Sequence, residues 1–226
     1  MTFNPKQQVA PGILLCSKKL HHRNTKMNNK FKHWTDADIV DLIKEAPLAF
    51  MVSSPASEFM MTPLPMLPET DGDGCLVRLT GHMALRNPHV GLLRRHPLAR
   101  FLFLGPNGYI SPSYLTDRSW APTWNYTILS IEAKVKFTPD LNDTALRQLV
   151  AALESGKANA WSVDELGERY QQLSQRIIAF QAEIRSVDAT FKLGQDEKPG
   201  VFQQIINGLD QGPLQQWMQR FNPDSN

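Results

Sequence analysis

Pro63, Pro65 and Pro68 punctuate a strand-like run over residues 59–67. Proline has no backbone N–H and cannot donate to a sheet ladder. A run that carries two of them, with the third directly after it, is confined to a sheet edge or a bulge, where backbone groups stay free. Neighbouring segments also read as strands. Residues 48–53 are a short apolar run closed by a turn at 55–58, and 75–80 alternate apolar and polar after the turn Asp71-Gly72-Asp73-Gly74. Residues 100–104, 127–137 and 177–193 complete the set, the last two alternating imperfectly.

Helices fall between groups of strands rather than after each one. Thr35 can cap a helix whose Asp38 reaches back to it, with Ile39, Val40, Leu42 and Ile43 as the buried stripe and Pro47 as the stop. Residues 88–95 form a short helix with Val90, Leu92 and Leu93 inward. A longer one spans 142–154 and stops at Gly156. Ser162 and Glu165 form a capping box for another, and residues from Pro199 onward are helical with a break at Gly212-Pro213. Strands in runs, without strict βαβ alternation, predict an α+β fold built on a mainly antiparallel sheet or barrel. Residues 1–30 differ, with scattered Lys, Arg, His, Asn and Gln and little apolar periodicity. They read as a loosely held N-terminal extension of a single domain over 31–226, helical towards its C-terminus.

A formal net charge of +2 gives no electrostatic case for nucleic-acid binding. The basic arm at 18–32 has no recognition-helix pattern beside it. Cys16 and Cys75 are far apart and show no CxxC spacing, so no disulfide framework or zinc site is expected and a reducing cytoplasm fits. No apolar run reaches membrane-spanning length. The apolar patch at 12–16 is followed, not preceded, by basic residues, the wrong order for a secretory signal.

Functional chemistry concentrates between Leu79 and Tyr126. Thr80-Gly81-His82-Met83-Ala84-Leu85-Arg86-Asn87-Pro88 joins a strand to a helix. Glycine permits close backbone approach, helix-start amides attract anions, and Arg86 offers two donors to a phosphate. An aromatic, proline-studded loop follows, with Tyr109, Tyr114, Trp120, Trp124 and Tyr126 suited to a rim that is apolar on one side and wet on the other. Together these suit a phosphorylated flat ligand. None of the histidines is part of an HExxH, and no acidic residue lies near His89 and His96 to complete a metal cluster, so no metal site is expected. GxSxG, GxxxxGK[ST] and GxGxxG are absent, and Ser111-Pro112-Ser113 has no neighbouring base.

GHMALRNP, GPNGYISPSYL followed by APTWNY, and TFKLGQ resemble the signature segments of PaiB-type FMN-binding negative transcriptional regulators. The resemblance runs from about Phe31 to the C-terminus. It implies an FMN-binding split barrel, a homodimer with flavin sites at the subunit interface. It places Thr62, Pro63 and Leu64 against the isoalloxazine through their backbone, and Thr80, Gly81 and His82 along the ribityl chain and phosphate. Arg86 stands where a phosphate-binding basic residue belongs, with Asn87 beside it. Trp124 and Asn125 would cover the ring from the other subunit, and Lys192 and Gln195 would stand at the rim. This sequence departs from the pattern at Gly194 and Asp196, where Ser and Asn are usual. It also lacks, over 59–62, the Arg that pyridoxamine phosphate oxidases use for phosphate. A flavin-dependent oxidoreductase or a haem-handling split barrel are the alternative activities, with His82 or Tyr109 as the available acid or base.

Overall fold

In the computed structural model, which describes residues 30–223, seven antiparallel strands form one sheet in the order β2-β1-β5-β6-β7-β4-β3. The strands are β1 (Leu48–Ser53), β2 (Met60–Pro65), β3 (Leu67–Thr70), β4 (Leu76–Ala84), β5 (Leu98–Ile110), β6 (Thr123–Phe137) and β7 (Ile177–Lys192). The helices are α1 (Asp36–Glu45), α2 (Pro88–Arg95), α3 (Asn142–Glu154), α4 (Arg169–Ser174), α5 (Pro199–Gly208) and α6 (Pro213–Arg220). The predicted extension and its basic arm, except Lys30 and Lys32, lie outside the described residues.

The prolines act as expected of edge residues. Pro63 and Pro65 sit on β2 and Pro68 on β3, the two edges of the sheet. Only Met66 separates these edge strands in the chain, so the edges must meet and the sheet curls into a barrel with an unladdered seam there. Met66 is fully buried, and its N–H donates to the Pro47 carbonyl. The interior is filled by alternate residues of the strands other than β3, including Leu79, Phe101, Phe103, Leu129, Ile131, Phe180 and Phe191. Phe180 stacks on Phe101 at 6.3 Å and meets Phe137 edge-on at 6.4 Å.

Helices close the barrel's ends and one flank. α1 begins at the predicted capping box, with the Asp38 N–H donating to Thr35 Oγ1. Arg220 of α6 bonds Asp38 and Asp41, and Trp217 Nε1 donates to Glu45, so the C-terminal helix is fastened to the first one. α3 lies against β4 and β7, where Asn142 bonds the backbone of Ile177 and Ala179.

Two expectations are corrected. The aromatic segment is not all loop: β5 continues to Ile110 through an irregularity between Leu104 and Asn107, and β6 starts at Thr123. Gly105-Pro106 reads as a strand end, yet the ladder resumes beyond it, pairing Tyr109 with Trp124. The second concerns cysteine. Cys75 is disulfide-bonded, contrary to the expectation drawn from spacing, and Cys16 lies outside the described residues. Spacing cannot reveal a pairing that the fold brings about.

Candidate functional site

β4 and the turn after it carry Thr80 to Asn87. Thr80 and Gly81 are buried. The Thr80 hydroxyl donates to Glu69 on β3, which also pairs with Arg78 at 3.4 Å. The α-position of Gly81 faces the barrel interior, where an added Cβ would lie 2.7 Å from Met66 Sδ and 3.2 Å from Phe180 Cζ. Close packing of side chains is therefore a use of this glycine that the sequence reading did not consider.

Asn87 caps α2, its Oδ1 accepting from the His89 N–H at 2.9 Å, and the Asn87 carbonyl accepts from Val90. Pro88 has no N–H. The first amides of α2 are thus occupied, and the expected contribution of helix-start amides to phosphate binding is not available. That leaves Arg86, which is exposed and makes no ion pair or side-chain hydrogen bond among the described residues.

Two buried side-chain nitrogens lack partners among the described residues, His82 Nδ1 and His89 Nε2, and both belong to this strand–helix segment. Burial holds both imidazoles below the usual histidine pKa, so both are neutral near pH 7. His89 is fully buried, with Nδ1 2.9 Å from Thr62 Oγ1 on β2. A buried orphan N–H is less tolerable than a bare lone pair, so the proton belongs on Nδ1, which donates to Thr62. The Thr62 hydroxyl hydrogen then stays free for another acceptor. On these observations the segment fits a phosphorylated flavin: an uncommitted guanidinium, a fixed hydroxyl donor, and orphaned nitrogens on adjoining elements.

The other sequence candidates lie elsewhere. Lys192 Nζ donates to Thr123 Oγ1 and to the Trp124 carbonyl at the far end of β7. Trp124 is about half exposed, donates to Asn107 and packs against Tyr109 with ring centres 6.1 Å apart. Gln195 folds back on the chain, its Oε1 accepting from Leu193 and its Nε2 donating to Phe191. Asn125 points inward and contacts Met218 of α6. Tyr114 and Trp120, from the same aromatic segment, pack on the core. Thr80 pairs with Gln181 near the start of β7, and Lys192 closes the strand. The stretch between them spans about 36 Å at ~3.3 Å per residue. One chain therefore presents two groups of candidates at opposite ends of a strand.

The sequence gives no sign of Arg176 and Trp161. The Leu85 N–H donates to the Arg176 carbonyl, which brings the start of β7 beside Arg86, and Arg86, Trp161 and Arg176 share a cavity of about 690 Å³. The β4–β7 pairing sets Arg176 beside Arg86, and the segment between α3 and α4 brings Trp161, so no local pattern could have found them.

A split barrel with a polar strand–helix turn beside its seam defines a flavin-holding class of protein, and the chain belongs to the family described as "Putative FMN-binding domain", which matches residues 27–186. It binds FMN. Among curated proteins it is similar to "Protease synthase and sporulation protein PAI 2" of Bacillus subtilis (strain 168), 24% identical over 183 residues, covering 79% of this chain and 86% of that one. Among solved structures it resembles the FAD and heme binding protein from Mycobacterium smegmatis, with a TM-score of 0.53, 13% identity and coverage of 78% and 79%. The flavocytochrome Anf3 from Azotobacter vinelandii gives a TM-score of 0.51, 14% identity and coverage of 72% and 74%. These likenesses show the split-barrel fold. Among the described residues no helix is long and apolar enough to cross a membrane.

Proposed function

We propose that this protein is a homodimeric, FMN-dependent regulator. Each flavin lies between the β2–β4–α2 region of one copy and the β6–β7 end of its partner. The observation that carries the reading is the separation of the two candidate groups along β7, which one flavin in one chain cannot bridge. Thr62 to Leu64, Thr80 to His82, Arg86 and Asn87 form one wall. Trp124, Asn125, Lys192 and Gln195 of a second copy supply the other.

An exposed apolar face supports the dimer. Directly paired residues of antiparallel strands project to the same side, so Leu48, Phe50, Met61, Leu104 and Ile128 lie together on the outer face of β2, β1, β5 and β6. All five are at least 40% exposed in the isolated chain. A contiguous patch of this kind marks an interaction site. The B. subtilis relative's name, with its reference to protease synthesis and sporulation, supports a regulatory role. The bound flavin supplies reversible redox chemistry. This chain's residues orient the ring, hold the phosphate at Arg86 and keep His82 and His89 neutral around it.

The test is FMN titration of the wild type and of Arg86→Ala. Loss of a charged hydrogen bond to phosphate weakens binding by about 1.5–3 kcal/mol, and unchanged affinity removes Arg86 from the phosphate site. A mobility-shift assay with the protein's own promoter, in both flavin redox states, checks the regulatory role. Absence of a salt-sensitive specific complex in either state counts against it. The half-exposed Trp124–Tyr109 pair favours a second reading, in which the ring edge is open to a diffusible reductant. Anaerobic bleaching of the flavin by reduced nicotinamide cofactors would favour that oxidoreductase.

A further inference from the structure

Apart from Arg86, the cavity of about 690 Å³ beside it is lined by residues that the proposed flavin site does not use. Its size is that of sites for drug-sized ligands. α3 contributes Leu146 and Val150, the segment before α4 contributes Trp161 and Val163, and Leu173 and Ile177 close the far side. The polar side chains are Arg86, Gln175 and Arg176, which adjoin one another through the Leu85–Arg176 backbone bond. No Asp or Glu lines the cavity. Neither guanidinium has an ion pair or side-chain hydrogen bond among the described residues. Both carry a permanent charge. Two unpaired cations beside an apolar, carboxylate-free wall call for an anion.

The remaining wall sets the rest of the ligand. Apart from Gln175 and the single indole N–H of Trp161 it offers no side-chain donor or acceptor, so a body with several hydroxyls would lose hydrogen bonds on entering. A sugar, a nucleoside or a ribityl chain is disfavoured there. An aliphatic or aromatic body gains from burial and covers Trp161, Leu85 and Leu173, which are 38%, 47% and 38% exposed in its absence. The wall is braced from outside: Arg147 of α3 bonds Asp143 at 3.0 Å and Asp164 at 2.9 Å and stacks over Tyr170 of α4.

We propose that this cavity binds an amphipathic organic anion, its head group on Arg176 and Arg86 and its apolar body against Trp161. The proposal rests on the flavin reading only in that Arg86 stands at both sites, which makes the anion an effector of flavin binding. A carboxylate and a phosphate head share the chemistry that two guanidinium groups recognise.

The test uses the full chain, with and without FMN. Decanoate, decyl phosphate and decanol are titrated below their micellar concentrations, followed by calorimetry and by tryptophan fluorescence. One anion per chain is expected to bind saturably, at least tenfold tighter than decanol. The stronger of the two anions identifies the head group. Trp161→Phe is expected to abolish the fluorescence change while the heat of binding persists. Arg176→Ala is expected to weaken the anion at least tenfold and leave FMN affinity unaltered. Lack of saturable binding, or equal binding of decanol, overturns the proposal. So does a loss of FMN affinity in Arg176→Ala that matches the loss of the anion, because the cavity would then be the flavin's own. Arg86→Ala is read in both arms. Weaker anion binding supports the cavity even where FMN affinity is unchanged, a result that would sink only the flavin phosphate assignment.

Discussion

Gly81→Ala separates the packing of the barrel from the binding of its ligand. The new methyl would stand 2.7 Å from Met66 Sδ, 3.0 Å from Met66 Cε and 3.2 Å from Phe180 Cζ. Methionine is adaptable and its end can swing, but Met66 is fully buried at the seam and has little room. Phe180 is held by Phe101 and Phe137, so its ring moves only with theirs. Overpacking of this kind costs about 1–3 kcal/mol. Replacing glycine in a strand returns roughly 0.5–1 kcal/mol. The net expectation is a destabilisation of about 0.5–2 kcal/mol. Urea unfolding should show the midpoint falling by up to about 1 M for a slope near 2 kcal/mol/M, with the slope unchanged. A variant as stable as the wild type would refute the close packing at the seam. A variant of unchanged stability that loses FMN would show that the glycine serves the ligand instead of the core.

Other expectations follow from the same geometry. Burial lowers the pKa of His89, so the unfolded chain binds a proton first as pH falls through about 6.5. Stability is full above that pH and declines below it, by up to about 1.4 kcal/mol per pH unit for this residue, until the folded pKa is reached. Thermal melts from pH 7.5 to 5 should show this slope, and His89→Phe should reduce it, leaving the part due to His82, whose pKa burial also lowers. A parallel decline in the variant would assign the effect to other groups. Ile128→Lys on the outer face should shift sedimentation from dimer to monomer, whereas an exposed substitution such as Lys136→Glu should not; a dimer that survives Ile128→Lys places the interface elsewhere. Thr35→Ala removes the cap of α1 and should cost about 1 kcal/mol in urea unfolding. No loss would mean that the Arg220 clasp alone holds the helix.

The barrel was legible in the sequence because its cues are local. Prolines that forbid a ladder marked residues 59–67 as edge structure, although that run divides into β2 and β3 at the two edges; capping residues marked α1, and alternation marked the long strands. The site was legible only in part. Thr62 and His89 are far apart in the chain, and nothing in either neighbourhood predicts their bond across the β2–α2 contact. Gly81 reads equally well as a ligand contact or a packing position until the interior side of β4 is known. Arg176 reads as a surface residue until β7 is laid beside β4. Under the proposed function, the same pairing is the reason for a second chain. A strand long enough to run from Ile177 to Lys192 carries one half of the signature motifs away from the other. In the isolated chain the two groups stay at opposite ends of β7. In the dimer proposed above, a second copy would set its Lys192 end against the Arg86 end of the first. The proposed dimer thus accounts for both the exposed apolar face and the divided site. A monomeric protein that bound FMN with full affinity would contradict both.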